Sequence, residues 1–227
     1  MMILTLKSLL LSILLTSAGL NFNYNFAAQA TFVSAKSQSS ASQLYDRGQQ
    51  YFERQEYPSA IKTLLELLKL EPNNSKAYNT IGMSFGELKE YSAAVAAFDR
   101  AISLNNNFAN AYYNRGYVYQ QLSQHDLALI DFDRALKLTD GQHVSALINR
   151  GSIYALREEY RLALTDLQQA IDLDPKSATA YYNRALIQLS IGNKTAYIND
   201  LTVAEELYSQ VGDSAGLAQI ARIKQLY

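Results

Sequence analysis

The sequence predicts an all-α solenoid, a stack of antiparallel helix pairs with no single central core. Three observations predict it. Glycines fall at Gly48, Gly82, Gly116 and Gly151, spaced 34, 34 and 35 residues apart. Twelve residues after each comes an alanine: Ala60, Ala94, Ala128 and Ala163. Four residues further on stands a large apolar residue: Leu64, Phe98, Phe132 or Leu167. Self-similarity at such a period marks a repeat architecture. One unit cannot bury its apolar face alone, so neighbours must stack.

The elements follow in chain order. Residues 1–30 carry one charge, Lys7, and the apolar run from Ser8 to Leu20 is 13 residues long. That is too short to span a bilayer and has the length of a signal-peptide core. Ala28-Gln29-Ala30 fits signal peptidase, so the expected mature chain begins at Thr31 and is exported. Cleavage after Ala18 and an uncleaved anchor are the alternatives. Residues 31–40 read as a flexible Ser-rich linker. Residues 41–211 divide into five repeats: 41–74, 75–108, 109–142, 144–177 and 178–211. The small slot lies on the first helix (A) and the alanine and large slots on the second (B). In the first B helix, Ile61, Leu64, Leu65 and Leu68 follow helical spacing. Pro58 suits the first turn of that helix, and Pro72 and Pro175 stop propagation past B helices. The fifth copy has Tyr181, Ala185, Leu201 and Ala204 in register, with bulky Tyr197 where alanine recurs. After Gly212, either Asp213 or Ser214 can cap a last helix over 213–227. Its apolar face is Leu217, Ile220, Ile223 and Leu226, and it closes the stack.

Tyr112, Gly116, Tyr119, Ala128, Phe132 and Ala135 fill one set of slots. Leu147, Gly151, Tyr154, Ala163, Leu167 and Pro175 fill the next. Over residues 41–211 this pattern resembles the tetratricopeptide repeat, in the form of an exported bacterial protein. The resemblance implies a right-handed superhelix whose A helices line a concave, peptide-binding groove. Carried over slot by slot, the groove residues are Asn110, Tyr113, Asn114, Tyr117, Gln121, Asn149, Tyr182 and Asn183. Asn114, Asn149 and Asn183 share one slot in consecutive repeats. An amide can donate to and accept from a peptide backbone, and the tyrosines offer amphipathic area at low entropy cost. The alternative is that these asparagines bond to neighbouring helices. Lys76 is the only base among the inner slots, and repeats three to five add no charge there. A clamp for a C-terminal carboxylate is therefore not expected.

Arg47, Arg115, Arg150 and Arg184 precede the small slot of helix A. Sixteen residues after the last three come Asp131, Asp166 and Asp200. The repeat with Ile81 has Ala97 there, so both are apolar, while Arg47 is matched by Thr63. This internal co-variation predicts a salt bridge from helix A to helix B. A row of anion-binding arginines is the competing reading.

Twenty basic against 21 acidic residues give a net charge of −1, which is no footprint for nucleic acid. No cysteine is present. His125 falls at the slot of Tyr57, Tyr91 and Tyr160, and His143 lies where the spacing is 35. Neither is placed for catalysis, and no metal, cofactor or phosphate-binding motif occurs. The expected function is a non-enzymatic adaptor that binds an extended protein segment in the groove. The alternative is an assembly factor for a membrane-associated complex, acting through its convex face or ends. Membrane contact is expected only through an uncleaved signal segment, and homo-oligomerisation is left open.

Overall fold

The structure is a computed structural model, and residues 40–226 are described. The signal segment, its cleavage sites and the linker up to residue 39 lie outside the described residues, as do the Leu226 side chain and Tyr227. The described residues form eleven helices and no strand. The chain divides into two compact units, Met1–Asn73 and Asn74–Tyr227.

In the first unit, α1 spans 40–53 and α2 spans Tyr57–Leu70. Leu64 and Leu67 are fully buried. Arg47 reaches Glu66 at 3.6 Å as a solvent-exposed pair, a weak interaction.

The second unit holds α3 (Ser75–Glu87), α4 (Tyr91–Leu104), α5 (Ala109–Gln121), α6 (His125–Leu138), α7 (Val144–Leu156) and α8 (Tyr160–Leu173). It continues with α9 (Ala178–Ser190), α10 (Lys194–Val211) and α11 (Ser214–Leu226). Helices pair as α3–α4, α5–α6, α7–α8 and α9–α10, and each pair packs on the next. The recurring alanines Ala94, Ala128 and Ala163 and the residues Phe98, Phe132 and Leu167 are all at most 1% exposed. A β-carbon on Gly82 would sit 2.6 Å from the Phe98 ring, so a hydrogen is what lets helix A close on helix B.

The A-to-B turns share one geometry. The N–H of Glu90 bonds to Phe85 O at 2.9 Å, and that of Lys89 to Gly86 O at 2.9 Å. This is the Schellman ending, which needs one residue in the left-handed region. That residue is Gln55, Lys89, Ser123 or Glu158 in the first four turns, with φ from 59° to 62°. Only the fifth uses glycine, Gly192 with φ 79°.

The 35-residue spacing is absorbed between α6 and α7, where Asp140 and Gly141 both have positive φ. His143 ends this loop as the N-cap of α7, its Nδ1 accepting from Ala146 N at 3.3 Å. The Tyr113 ring lies 4.6 Å from the His143 ring, centre to centre. Burial lowers the pKa of His143, which suits an imidazole whose Nδ1 must be free of a proton to act as acceptor.

At the C-terminal end, Tyr197 is buried in the alanine slot, in a cluster with Ala185, Leu201, Ala204, Tyr208 and Ile220. Asp213 caps α11, accepting from Gly216 N at 3.0 Å. Ile220 is fully buried, and Leu217 and Ile223 pack beside it, so the described part of the expected apolar face of α11 meets α10.

Candidate functional site

The second unit carries the slots expected to bind a partner. Helices α3, α5, α7 and α9 bring their equivalent positions side by side, and the recurring asparagines link them. Asn114 donates through Nδ2 to Asn79 Oδ1 at 3.0 Å, one repeat back. Asn149 donates to the Tyr113 hydroxyl at 3.3 Å. Asn183 donates to Ser152 Oγ at 3.1 Å. The first two acceptors occupy one slot, immediately before the asparagine slot. In the next repeat that slot holds apolar Ile148, so Asn183 turns to Ser152 instead. The amide N–H groups thus serve the stack, as the alternative reading of these residues expected. Their Oδ1 atoms accept no hydrogen bond within the described residues. Each asparagine is half-buried, so a carbonyl acceptor remains at the surface.

Four of the expected site residues meet in one cleft of about 380 Å³ between α3 and α5, floored by α4. They are Tyr113, Asn114, Tyr117 and Gln121. Tyr117 is 45% exposed and available to a partner. Tyr113 is held more deeply. Burial raises its pKa, and Asn149 donates a hydrogen bond to its hydroxyl. Asn183 lines a second cleft of about 320 Å³ between α7 and α9. Asn149 lies in neither cleft and is tied to the wall of the first through Tyr113. Asn110 is exposed at the start of α5, and Tyr182 packs against the C-terminal cluster. The inner slots therefore supply two clefts joined by a line of amides.

Sequence reasoning did not place Gly86, Lys89, Tyr91, Phe98 or Val118 in the groove, yet all five line the first cleft. Gly86 makes the cavity. A β-carbon there would meet only Val118 Cγ2, at 3.8 Å. The signal was legible, because the equivalent slots hold Phe52, Gln120, Ala155 and Leu189. Gly86 breaks the beat by being smaller than its neighbours.

The arginines point elsewhere. Arg115 grips Asp131 with Nε and Nη2 at 2.8 and 2.7 Å. Arg150 does the same to Asp166 at 2.8 and 2.7 Å, and Arg184 to Asp200 at 2.7 and 2.6 Å. These are the expected A-to-B bridges in bidentate form. The remaining Nη1 reaches the B helix of the preceding repeat, at Asp99, Asp133 or Gln168. That third bond was not foreseen. Tyrosine rings flank each guanidinium, with Tyr181 5.4 Å from Arg184. Hydrogen bonds donated to the partner carboxylates hold all three guanidiniums above their usual pKa range. With their donors so engaged, these arginines are not a row open to an anionic ligand.

Among the described residues no group of His, Cys, Asp or Glu could hold a metal ion, and no helix is long and apolar enough to cross a membrane.

A family model described as "TPR repeat" matches residues 82–123 and 151–192, and one described as "Tetratricopeptide repeat" matches 109–138. MamA from Desulfovibrio magneticus RS-1 is similar in structure, with a TM-score of 0.66 at 23% identity, over 77% of this chain and 98% of that one. PilF from Pseudomonas aeruginosa gives 0.71 at 14% identity, covering 85% and 94%. YrrB, described as a TPR protein with an unusual peptide-binding site, gives 0.61 at 20% identity, covering 85% and 97%. At these identities the likeness is one of fold. No curated protein matches the sequence.

Proposed function

Because the chain belongs to the tetratricopeptide-repeat family, whose members mediate protein–protein interactions, we propose that it is an exported, non-enzymatic adaptor that holds an extended protein segment along α3, α5, α7 and α9. The observation that carries this reading is the meeting of Tyr113, Asn114, Tyr117 and Gln121 in one open cleft. Tyrosine faces give contact area, and the unengaged Asn114 Oδ1 gives an acceptor for a backbone N–H. Export is supported by the short apolar run and the Ala28-Gln29-Ala30 sequence.

A second reading draws on a different surface. Ile130 on α6 is 63% exposed and Ile198 on α10 is 58% exposed. Apolar side chains left on the outer helices suit docking into an assembly at a membrane. A photo-crosslinking residue placed at Tyr117 or at Ile130 in the intact protein separates the two. A partner adduct from position 117 and none from 130 is the expected result. The reverse pattern would transfer the function to the outer face.

A further inference from the structure

The two clefts are the same site built twice. The second is lined by eight residues, among them Ser152, Ala155, Tyr160, Asn183 and Ile187. Each lies 69 positions after a lining residue of the first: Met83, Gly86, Tyr91, Asn114 and Val118 correspond in that order. Sixty-nine is one 34-residue step plus one 35-residue step, so the clefts stand two repeats apart. At the intervening junction the small slot holds Gln120 and the tyrosine slot holds His125. Gln120 Oε1 and His125 Nδ1 are both buried, so the tips of these larger side chains lie inside the stack.

The linings differ in chemistry. Around Gly86, Tyr113, Tyr117 and Met83 offer aromatic and thioether contacts, with Gln121 and the oppositely charged Glu87 and Lys89 as polar groups of no net charge. That suits an aromatic side chain with a hydroxyl tip. Around Ala155 the walls are Leu156, Leu186 and Ile187 with two serines, and no charge. That suits a branched aliphatic side chain.

We propose that the groove reads its partner at two points, taking a tyrosine in the Gly86 cleft and a leucine in the Ala155 cleft of one uncharged, extended segment. This deepens the adaptor reading above and depends on it. Packed helices lie 8–10 Å apart, so clefts two repeats apart are separated by roughly 20 Å. An extended chain covers that in about six residues. Both anchors on one chain then bind far more tightly than either alone, because the second engagement is intramolecular.

The test uses the full chain and fluorescein-labelled peptides of Ser, Gly and Asn carrying one Tyr and one Leu, in both orders, at spacings of two to ten residues. Anisotropy should show a maximum near a spacing of six, in one order, at least tenfold tighter than peptides with a single anchor. Gly86→Gln and Ala155→Gln copy the residue that the intervening repeat already carries. Each should abolish the gain from its own anchor only. Gly86→Gln should also raise the melting temperature, since glycine is a poor helix former, so lost binding could not be blamed on unfolding. Peptides that bind equally at all spacings, or a Gly86→Gln variant that binds the two-anchor peptide unchanged, would overturn the two-point reading and leave the adaptor reading standing. A chain that binds none of the peptides at any spacing overturns the two-point reading, and crosslinking only at Ile130 overturns the adaptor reading as well.

Discussion

Two neighbouring helix pairs close the same interface by opposite chemistry. In α3–α4 the facing slots hold Ile81 and Ala97, both buried and apolar. In α5–α6 they hold Arg115 and Asp131, joined by two hydrogen bonds, with the carboxylate only 2% exposed. Geometry alone does not demand an ion pair, since the repeat accepts either. What the arginine adds is its third bond, to Asp99 on the preceding B helix. An isoleucine can fill the slot but cannot make that link. The pair in α7–α8 repeats the ionic solution with Asp133 as the outside partner.

The sharpest way to break the ionic solution is to remove one half. Asp166→Ala leaves the Arg150 guanidinium, only 21% exposed, with the exposed Asp133 as its one remaining carboxylate partner. Urea unfolding should show a loss of about 3 kcal/mol, the lower end for a buried pair losing a partner. Converting α5–α6 to the α3–α4 chemistry is the complementary test. Arg115→Ile with Asp131→Ala should cost less than half of what Asp131→Ala costs alone, because only the exposed Asp99 is left unpaired and no buried charge remains. A double variant as unstable as the sum of its parts would show that the two solutions are not interchangeable.

The next largest effect concerns the close approach beneath both solutions. Gly82→Ala should destabilise by about 2 kcal/mol, since the Phe98 ring must move. The fifth repeat already holds Ala185 at this slot, fully buried against Leu201 rather than a phenylalanine. Phe98→Leu should therefore rescue part of the Gly82→Ala loss in a thermal melt.

A smaller effect separates α7, capped by a titratable group, from α3, capped by the Asn74 side chain. The His143 pKa is lowered in the folded chain from its ordinary value of 6.5. Its contribution is therefore complete above that value and is lost as pH falls through the folded value. His143→Asn keeps a capping acceptor and removes the titration. Melts between pH 7.5 and 5 should fall more steeply for the parent than for His143→Asn. Parallel curves would sink the assignment.

The smallest effect lies in the turns. Ser123 has φ 59° where the fifth turn has glycine. Ser123→Gly should stabilise by roughly 0.5 kcal/mol, the left-handed strain relieved less the added freedom of the unfolded chain. Gly192→Ala should move stability the opposite way.

Much of the fold was legible because repeat packing writes itself into spacing. Gly82, Ala94 and Phe98 are three faces of one contact, and their recurrence dictates the A–B pair. Arg150 and Asp166 were legible for the same reason, as one slot predicts the other. The turns were not legible. Gln55, Lys89, Ser123 and Glu158 carry no glycine signal, because the Schellman hydrogen bonds hold the backbone there regardless of side chain. The third bond of each arginine was hidden too, since it joins slots of adjacent repeats whose residues vary between Asp99, Asp133 and Gln168. Within the candidate site, Tyr113 and Asn114 were placed by the resemblance to the tetratricopeptide repeat, and Asn114 stood out further by its recurrence. Gly86 was missed because its meaning lies in what the other repeats have and it lacks.

Stability is thus placed in the buried ion pairs and recognition, as proposed, in the inner clefts. One paired measurement tests that division: thermal melts and anisotropy titrations of the two-anchor peptide against Gly86→Gln and Asp166→Ala, at a temperature where all three proteins are folded. Gly86→Gln should melt higher and bind at least tenfold more weakly, while Asp166→Ala should melt lower and bind as the parent does. If affinity instead followed melting temperature across the three proteins, stability and recognition would share one surface, and the division would be wrong.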